Sequence, residues 1–207
     1  MVILLLLLFI IILIHDHAYL GRLDYEILFH FNNNRIRRLD KLFQFVTDIN
    51  TTVTFITIGG ILLLSYIRKS KAILFKAIGA GSALLTTTVI TSAMKELINR
   101  DRPFLTFSTI ERLTTVVTPS FPSGLTSEAF ALATIVSLFF PDLRIVIVAY
   151  SWALLIAYSR MLLGVHYPTD IISAMLLGAT VSLLVWIIFR HRTDAGKPNE
   201  YLHEKNS

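Results

Sequence analysis

The sequence predicts an all-α polytopic membrane protein: a bundle of six transmembrane helices with an amphipathic helix lying at the membrane surface. Three observations carry this. The 207 residues are 54% hydrophobic and 16% charged, with a mean hydropathy of +0.66, far from the composition of a soluble domain. The apolar residues fall in long runs, and one span needs about 20 of them. Short polar segments, several carrying Arg or Lys, separate the runs. Residues 1–189 read as a single membrane domain, and 190–207 as a polar, disordered cytoplasmic tail.

Residues 2–14 are apolar without a break and end at His15, Asp16 and His17. No basic segment precedes them and no small-residue cleavage site follows. They therefore read as an uncleaved first span reaching about Leu20, rather than a signal peptide. Within 24–49, Ile36, Leu39, Phe43, Val46 and Ile49 recur every three or four positions, opposite Arg35, Arg37, Arg38 and Lys41. That spacing predicts the amphipathic surface helix.

The second span is 51–67, closed by Arg68, Lys69 and Lys71. The third is 72–94, where Gly79, Ala80 and Gly81 permit close helix contact. After a polar loop, 95–122, come a fourth span (123–140), a fifth (145–163) and a sixth (170–189). With six spans, Arg68, Lys69, Lys71, Arg144, Arg190 and Arg192 share one side, which the positive-inside rule makes cytoplasmic. Arg35, Arg37 and Arg38 fall on the other side and run against the rule.

Composition also narrows function. The absence of cysteine excludes disulfides, thiolate metal sites and a cysteine nucleophile. A net charge of +5 without any basic–aromatic tract fits anionic membrane lipids and not nucleic acid. A transporter needs polar groups near the midplane, whereas the ionisable residues here gather at one surface. Lys76 and Glu128, near span ends, are partial exceptions. Nothing in the chain specifies an oligomeric state.

Three polar motifs interrupt the apolar pattern, and the six-span layout brings all of them to the outer face. The first, 95–103, contains Lys95 and Arg102, seven residues apart. Two cations at a membrane-surface loop make an anion clamp, in which Arg grips phosphate bidentately; an interfacial snorkelling pair is the plainer alternative. The second, 121–125, places Ser123 at a helix N-cap and Gly124 where a ligand can approach backbone N–H groups. A simple cap and turn would look the same. The third, 159–170, sets His166 and Asp170 on one helical face, four residues apart, with Arg160 as a third cation. Asp170 can fix the imidazole tautomer and leave the other nitrogen free to attack phosphorus. The competing readings are a metal ligand or a structural His–Asp hydrogen bond.

Taken together these motifs resemble those of the type 2 phosphatidic acid phosphatase (PAP2) superfamily, which shares its site with vanadium haloperoxidases. The family pattern is K-x6-RP, PSGH and SR-x5-H-x3-D. The resemblance implies a lipid phosphatase in which His166 is the nucleophile forming a phosphohistidine and Asp170 orients it. Lys95, Arg102, Ser123, the Gly124 backbone and Arg160 would bind the phosphate of an amphiphilic lipid. It implies no metal and no other cofactor. The other five histidines match no motif position and read as surface residues.

One position departs from the pattern. Leu125 stands where the family has a histidine acting as general acid on the leaving oxygen. Such a group is typically worth about 10²- to 10⁴-fold, and leucine carries no proton. An alkoxide leaving group needs that proton more than a phosphate leaving group does. The chain therefore reads as impaired, as selective for diphosphates, as a lipid-phosphate binder with a dead site, or as an enzyme in which Glu128, three residues on, substitutes.

Overall fold

A computed structural model describes residues 17–194, with side chains from Gly21 to Arg190, and every regular element in that range is helical. The elements are α1 (His17–Asn33), a 3-10 turn (Arg37–Leu39), α2 (Asp40–Asp48), α3 (Asn50–Arg68), α4 (Lys71–Ile98), α5 (Pro103–Thr106), α6 (Gly124–Phe139), α7 (Leu143–Leu162) and α8 (Pro168–Asp194). Residues 2–14, expected as a first span, and the end of the tail lie outside the described residues.

Among the described residues four helices, α3, α4, α7 and α8, are long and apolar enough to cross a membrane. The expected fourth span is α6. It has 16 residues and extends about 24 Å, short of a hydrocarbon core of about 30 Å. It is the inner helix of the bundle: Ala129, Ala131, Ala133 and Ile135 are shut off from solvent, and α4, α7 and α8 surround it. The outward faces carry Phe55, Ile56, Leu85, Val89, Val148 and Leu154, apolar surface suited to lipid.

The chain punctuates these helices locally. Lys69 closes α3 in the left-handed conformation, and Ser70 then caps α4 by accepting from the Ile73 N–H. Asn99 ends α4 in the same left-handed conformation, so the chain turns out of the helix before Pro103 opens α5. The Asp142 side chain caps α7. At the other end, α8 runs past Arg190, where the polar composition sets in, as far as Asp194.

Small residues set the helix spacing. A Cβ on Gly178 would lie 2.4 Å from the Ser127 carbonyl oxygen, so α8 rests directly on the backbone of α6. A Cβ on Gly79 would lie 2.7 Å from the Phe139 ring. Gly81 has nothing within 4 Å and takes no part in the contact expected of it. Such close approach is how apolar helices gain packing where lipid offers no hydrophobic drive.

Residues 24–49 do not form one amphipathic helix. The chain breaks between α1 and α2, Ile36 and Leu39 are exposed, and Val46 is the buried member of the expected apolar stripe. The buried stripe lies earlier, at Asp24, Leu28 and Asn32 on α1, and two of its three members are polar. Asn32 holds the Glu111 backbone N–H, the Glu111 carbonyl and the Leu162 carbonyl at 2.9–3.0 Å. Arg35 pairs with Asp40 and Glu111, so this cation is neutralised within the loops and bears little on orientation.

Candidate active site

The site forms at one end of the bundle, where α4 ends, α6 begins, α7 ends and α8 begins. There a cavity of about 370 Å³ is lined by Lys95 and Thr91 from α4, Arg102 from the loop, Gly124, Leu125 and Glu128 from α6, Arg160 from α7, and His166. Residues from all three motifs, 71 positions apart at their extremes, thus face one space. Lys95 and Arg102 share it although the helix stops between them; the Asn99 turn folds Arg102 back.

His166 sits in the turn between α7 and α8 and is 2% exposed. Its Nδ1 lies 3.3 Å from Asp170 Oδ2, and its Nε2 lies 3.3 Å from Arg102 Nη1. Because Arg102 only donates, Nε2 carries a lone pair and the proton resides on Nδ1, facing the carboxylate. Burial pushes the imidazole down from its ordinary value to about 3, outweighing the upward pull of Asp170. The ring is therefore neutral at pH 7.

Asp170 lies behind the cavity, fully buried. Besides His166, its carboxylate accepts from Arg100 Nη1 (2.7 Å), Ser120 Oγ (2.5 Å) and the Tyr167 N–H (3.0 Å). Arg100 in turn reaches Asp24 on α1 at 2.6 Å. Asp24 also takes the Thr169 N–H (2.9 Å) and hydroxyl (2.5 Å), so a residue from a distant helix caps the first turn of α8. Arg100, Ser120 and Asp24 were not expected. Arg100 stands inside the first motif, but the spacing pattern reads only Lys95, Arg102 and Pro103. Asp24 has its partner 76 positions away, and no local pattern signals it.

The cations differ in how they are held. Lys95 Nζ donates to the Pro119 carbonyl at 2.5 Å. Arg102 donates to the Thr118 and Val165 carbonyls at 2.7 and 2.8 Å. Arg160 is 4% exposed, yet its Nε has no protein partner. A buried N–H left unpaired is costly, and Arg160 lines the cavity.

Ser123 is the N-cap of α6, but its hydroxyl pairs with Thr126 Oγ1 at 2.8 Å and caps no backbone N–H. It sits behind the cavity lining. The first-turn N–H groups of α6 are thus left without a side-chain cap beside Gly124, where a Cβ would meet nothing closer than 4.0 Å. The protein does not require glycine there for its own packing. Leu125 is half-buried, lines the cavity and packs against the core cluster around Ala129 and Phe130. A separate groove of about 460 Å³, between α3, α6 and α7, is lined mainly by apolar side chains such as Val53, Leu132, Val136 and Trp152.

Comparison with known proteins agrees with this arrangement. The PAP2 superfamily model matches residues 76–194, more than half of the chain and all of the cavity. The chain belongs to the PAP2 superfamily. Among individual proteins, it is 30% identical over 130 residues to a lipid A 1-phosphatase of Rhizobium etli, covering 58% of this chain and 55% of that protein. The chain thus spans about half the length of that relative. It is 24% identical over 160 residues to the undecaprenyl-diphosphatase BcrC of Bacillus subtilis, covering 77% and 78% of the two chains.

Two solved structures share the fold. Aquifex aeolicus LpxE superposes with a TM-score of 0.68 at 27% identity, covering 78% of this chain and 93% of that one. A transmembrane PAP2-type phosphatidylglycerolphosphate phosphatase from Bacillus subtilis gives 0.74 at 24% identity, covering 96% and 98%. Apolar spans together with these membrane relatives make the PAP2 chain described here an integral membrane protein.

Proposed function

We propose that this PAP2 protein hydrolyses the phosphate of an amphiphilic lipid through a phosphohistidine at His166, with the leaving-group step weakened by Leu125. The observation that carries the reading is Arg160: a buried guanidinium whose Nε has no protein partner, on a residue lining the same cavity as Lys95, Arg102 and a neutral His166. A phosphate supplies the missing acceptor. Lys95, Arg102 and Arg160 then offset its charge, the α6 N-terminus adds N–H donors, and Nε2 attacks phosphorus in line with the lipid oxygen. Asp170 holds the Nδ1 proton and stabilises the positive charge that the ring gains as the P–N bond forms. Water then cleaves that bond and releases phosphate. No step calls for a metal.

The relatives act on a lipid A phosphate, undecaprenyl diphosphate and phosphatidylglycerolphosphate by their names, and phosphatidic acid belongs to the same chemical class. The reading includes six spans, the first of them in residues 2–14, and a site facing the outer side of a bacterial inner membrane. The lipid tail lies between the helices. One observation favours a second reading: Leu125, with no proton to give, is equally the mark of a lipid-phosphate binding protein with a dead site.

Phosphate release from detergent-solubilised protein tests both, using a panel of lipid monophosphates and diphosphates and comparing the chain with Leu125→His. The histidine variant is expected to turn over monoesters at least about tenfold faster, toward the 10²- to 10⁴-fold typical of a placed general acid. Diphosphates are expected to gain less. Phosphate release by neither protein, from any lipid, would leave binding as the function.

A further inference from the structure

We propose that Glu128 is the proton donor to the leaving oxygen in this chain, in place of the absent histidine; the inference rests on the phosphatase reading above. Glu128 lines the same cavity as His166, Arg160 and Leu125. Residues three apart on a helix have Cβ atoms about 5–6 Å from each other, and side chains lean toward the helix N-terminus. The Glu128 carboxyl therefore reaches back over the turn that Leu125 occupies, toward the space where the family's histidine would act.

Its hydrogen bonding is unfinished. Oε2 accepts from the Thr51 hydroxyl on α3 at 3.1 Å, while Oε1 is buried with no partner. A buried carboxyl oxygen without a partner is costly. An O–H at Oε1, donated to the bridging oxygen of a bound lipid phosphate, removes that cost. Thr51 donates to Oε2, so Oε1 is the carboxyl oxygen left without a protein partner. Leu125 contributes by default: it is apolar and competes for no proton.

The step balances. Nε2 of His166 forms a bond to phosphorus, the P–O(lipid) bond breaks with its electron pair on oxygen, and the proton of Glu128 goes to that oxygen. In the second half a water oxygen attacks phosphorus, both water protons leave on the phosphate as H2PO4−, the P–N electron pair returns to His166, and the Glu128 carboxylate takes its proton back from solvent.

The test is Glu128→Gln, close to isosteric, assayed with two soluble monoesters: an alkyl phosphate of short chain and a nitrophenyl phosphate, whose leaving group departs without a proton. The alkyl ester is expected to slow about tenfold or more, and the nitrophenyl ester to be unchanged, which also reports an intact fold. Adding Leu125→His is expected to restore alkyl turnover, because the histidine then donates. An equal loss on both esters, or no loss on either, overturns the proposal, as does alkyl turnover confined to Leu125→His. If neither ester is hydrolysed by the chain or by Leu125→His, it is the phosphatase reading that fails, and the proposal with it.

Discussion

The two sides of the cavity are built differently. On the nucleophile side, Asp170 has four hydrogen-bond donors within 3.3 Å, drawn from Arg100, Ser120, Tyr167 and His166, and Arg100 is itself anchored to Asp24. On the facing side, Arg160 Nε and Glu128 Oε1 are buried without partners, and Leu125 adds only apolar surface. A fully satisfied network is rigid and holds one geometry. Unsatisfied groups around a cavity mark where something else completes the bonding. The contrast separates what the protein fixes in advance, the tautomer and direction of His166, from what the proposed phosphate ligand would complete.

The largest way to break this contrast is to remove the nucleophile. His166→Ala is expected to abolish trapped phosphoenzyme and lower turnover by roughly 10⁴-fold or more, while lipid-phosphate binding to the cations persists. Acid-labile, base-stable phosphate still appearing on the variant after a quench would remove His166 from the role.

A graded series sharpens the same side. Asp170→Asn alters the tautomer control, and orienting carboxylates are worth up to about 10⁴-fold in kcat. Asp24→Ala acts one step further out, through Arg100 and the cap on α8. Its expected cost is about tenfold in kcat, or about 1.4 kcal/mol of transition-state stabilisation, with KM unchanged. A rise in KM at constant kcat would make Asp24 a determinant of lipid binding instead of a positioning residue. Loss of the cap should also lower stability by about 1 kcal/mol, visible as a lower melting temperature in detergent.

How much of this was legible beforehand follows the same division. Hydrophobic run lengths placed α3, α4, α6, α7 and α8, because membrane spans are coded by composition over a whole segment. The 3.6-residue period in 24–49 picked out α2, a short amphipathic helix, but not α1, which docks through Asp24 and Asn32; a search for apolar stripes passes over polar ones. The motif residues were readable because their chemistry is unusual in an apolar chain. Lys95, Arg102, Gly124, Arg160 and His166 do share the cavity, with Asp170 directly behind His166. Ser123 occupies its cap position but turns its hydroxyl to Thr126, a choice of rotamer that no spacing encodes. Arg100 and Ser120 reach Asp170 across 70 and 50 positions, and Asp24 reaches Arg100 across 76; such pairings are made by the fold alone. Of the histidines outside the motif, His30 is exposed as expected; the side chains of the other four lie outside the described residues.

The smallest expected effect is an absence, and it tests the rigid side most directly. An ordinary imidazole titrates near 6.5 and would be almost wholly protonated at pH 5. His166, held near 3 by burial, keeps its neutral form, with the proton on Nδ1, throughout the range from pH 7 to 5. Nitrogen-15 NMR of histidine-labelled protein in micelles, with the His166 signal assigned by its loss in His166→Ala, should show no change in that range. The sign for stability is opposite to that of a paired histidine. The unfolded chain takes up a proton as pH falls below about 6.5 while the folded site does not, so folding stability is complete above that value and declines toward 3. Acid inactivation in this window then comes from unfolding, with the nucleophile neutral until the fold is lost. A His166 resonance that titrates near 6.5 in folded protein would mean that water reaches the ring freely, and the preorganised wall would have to be redrawn as an open one.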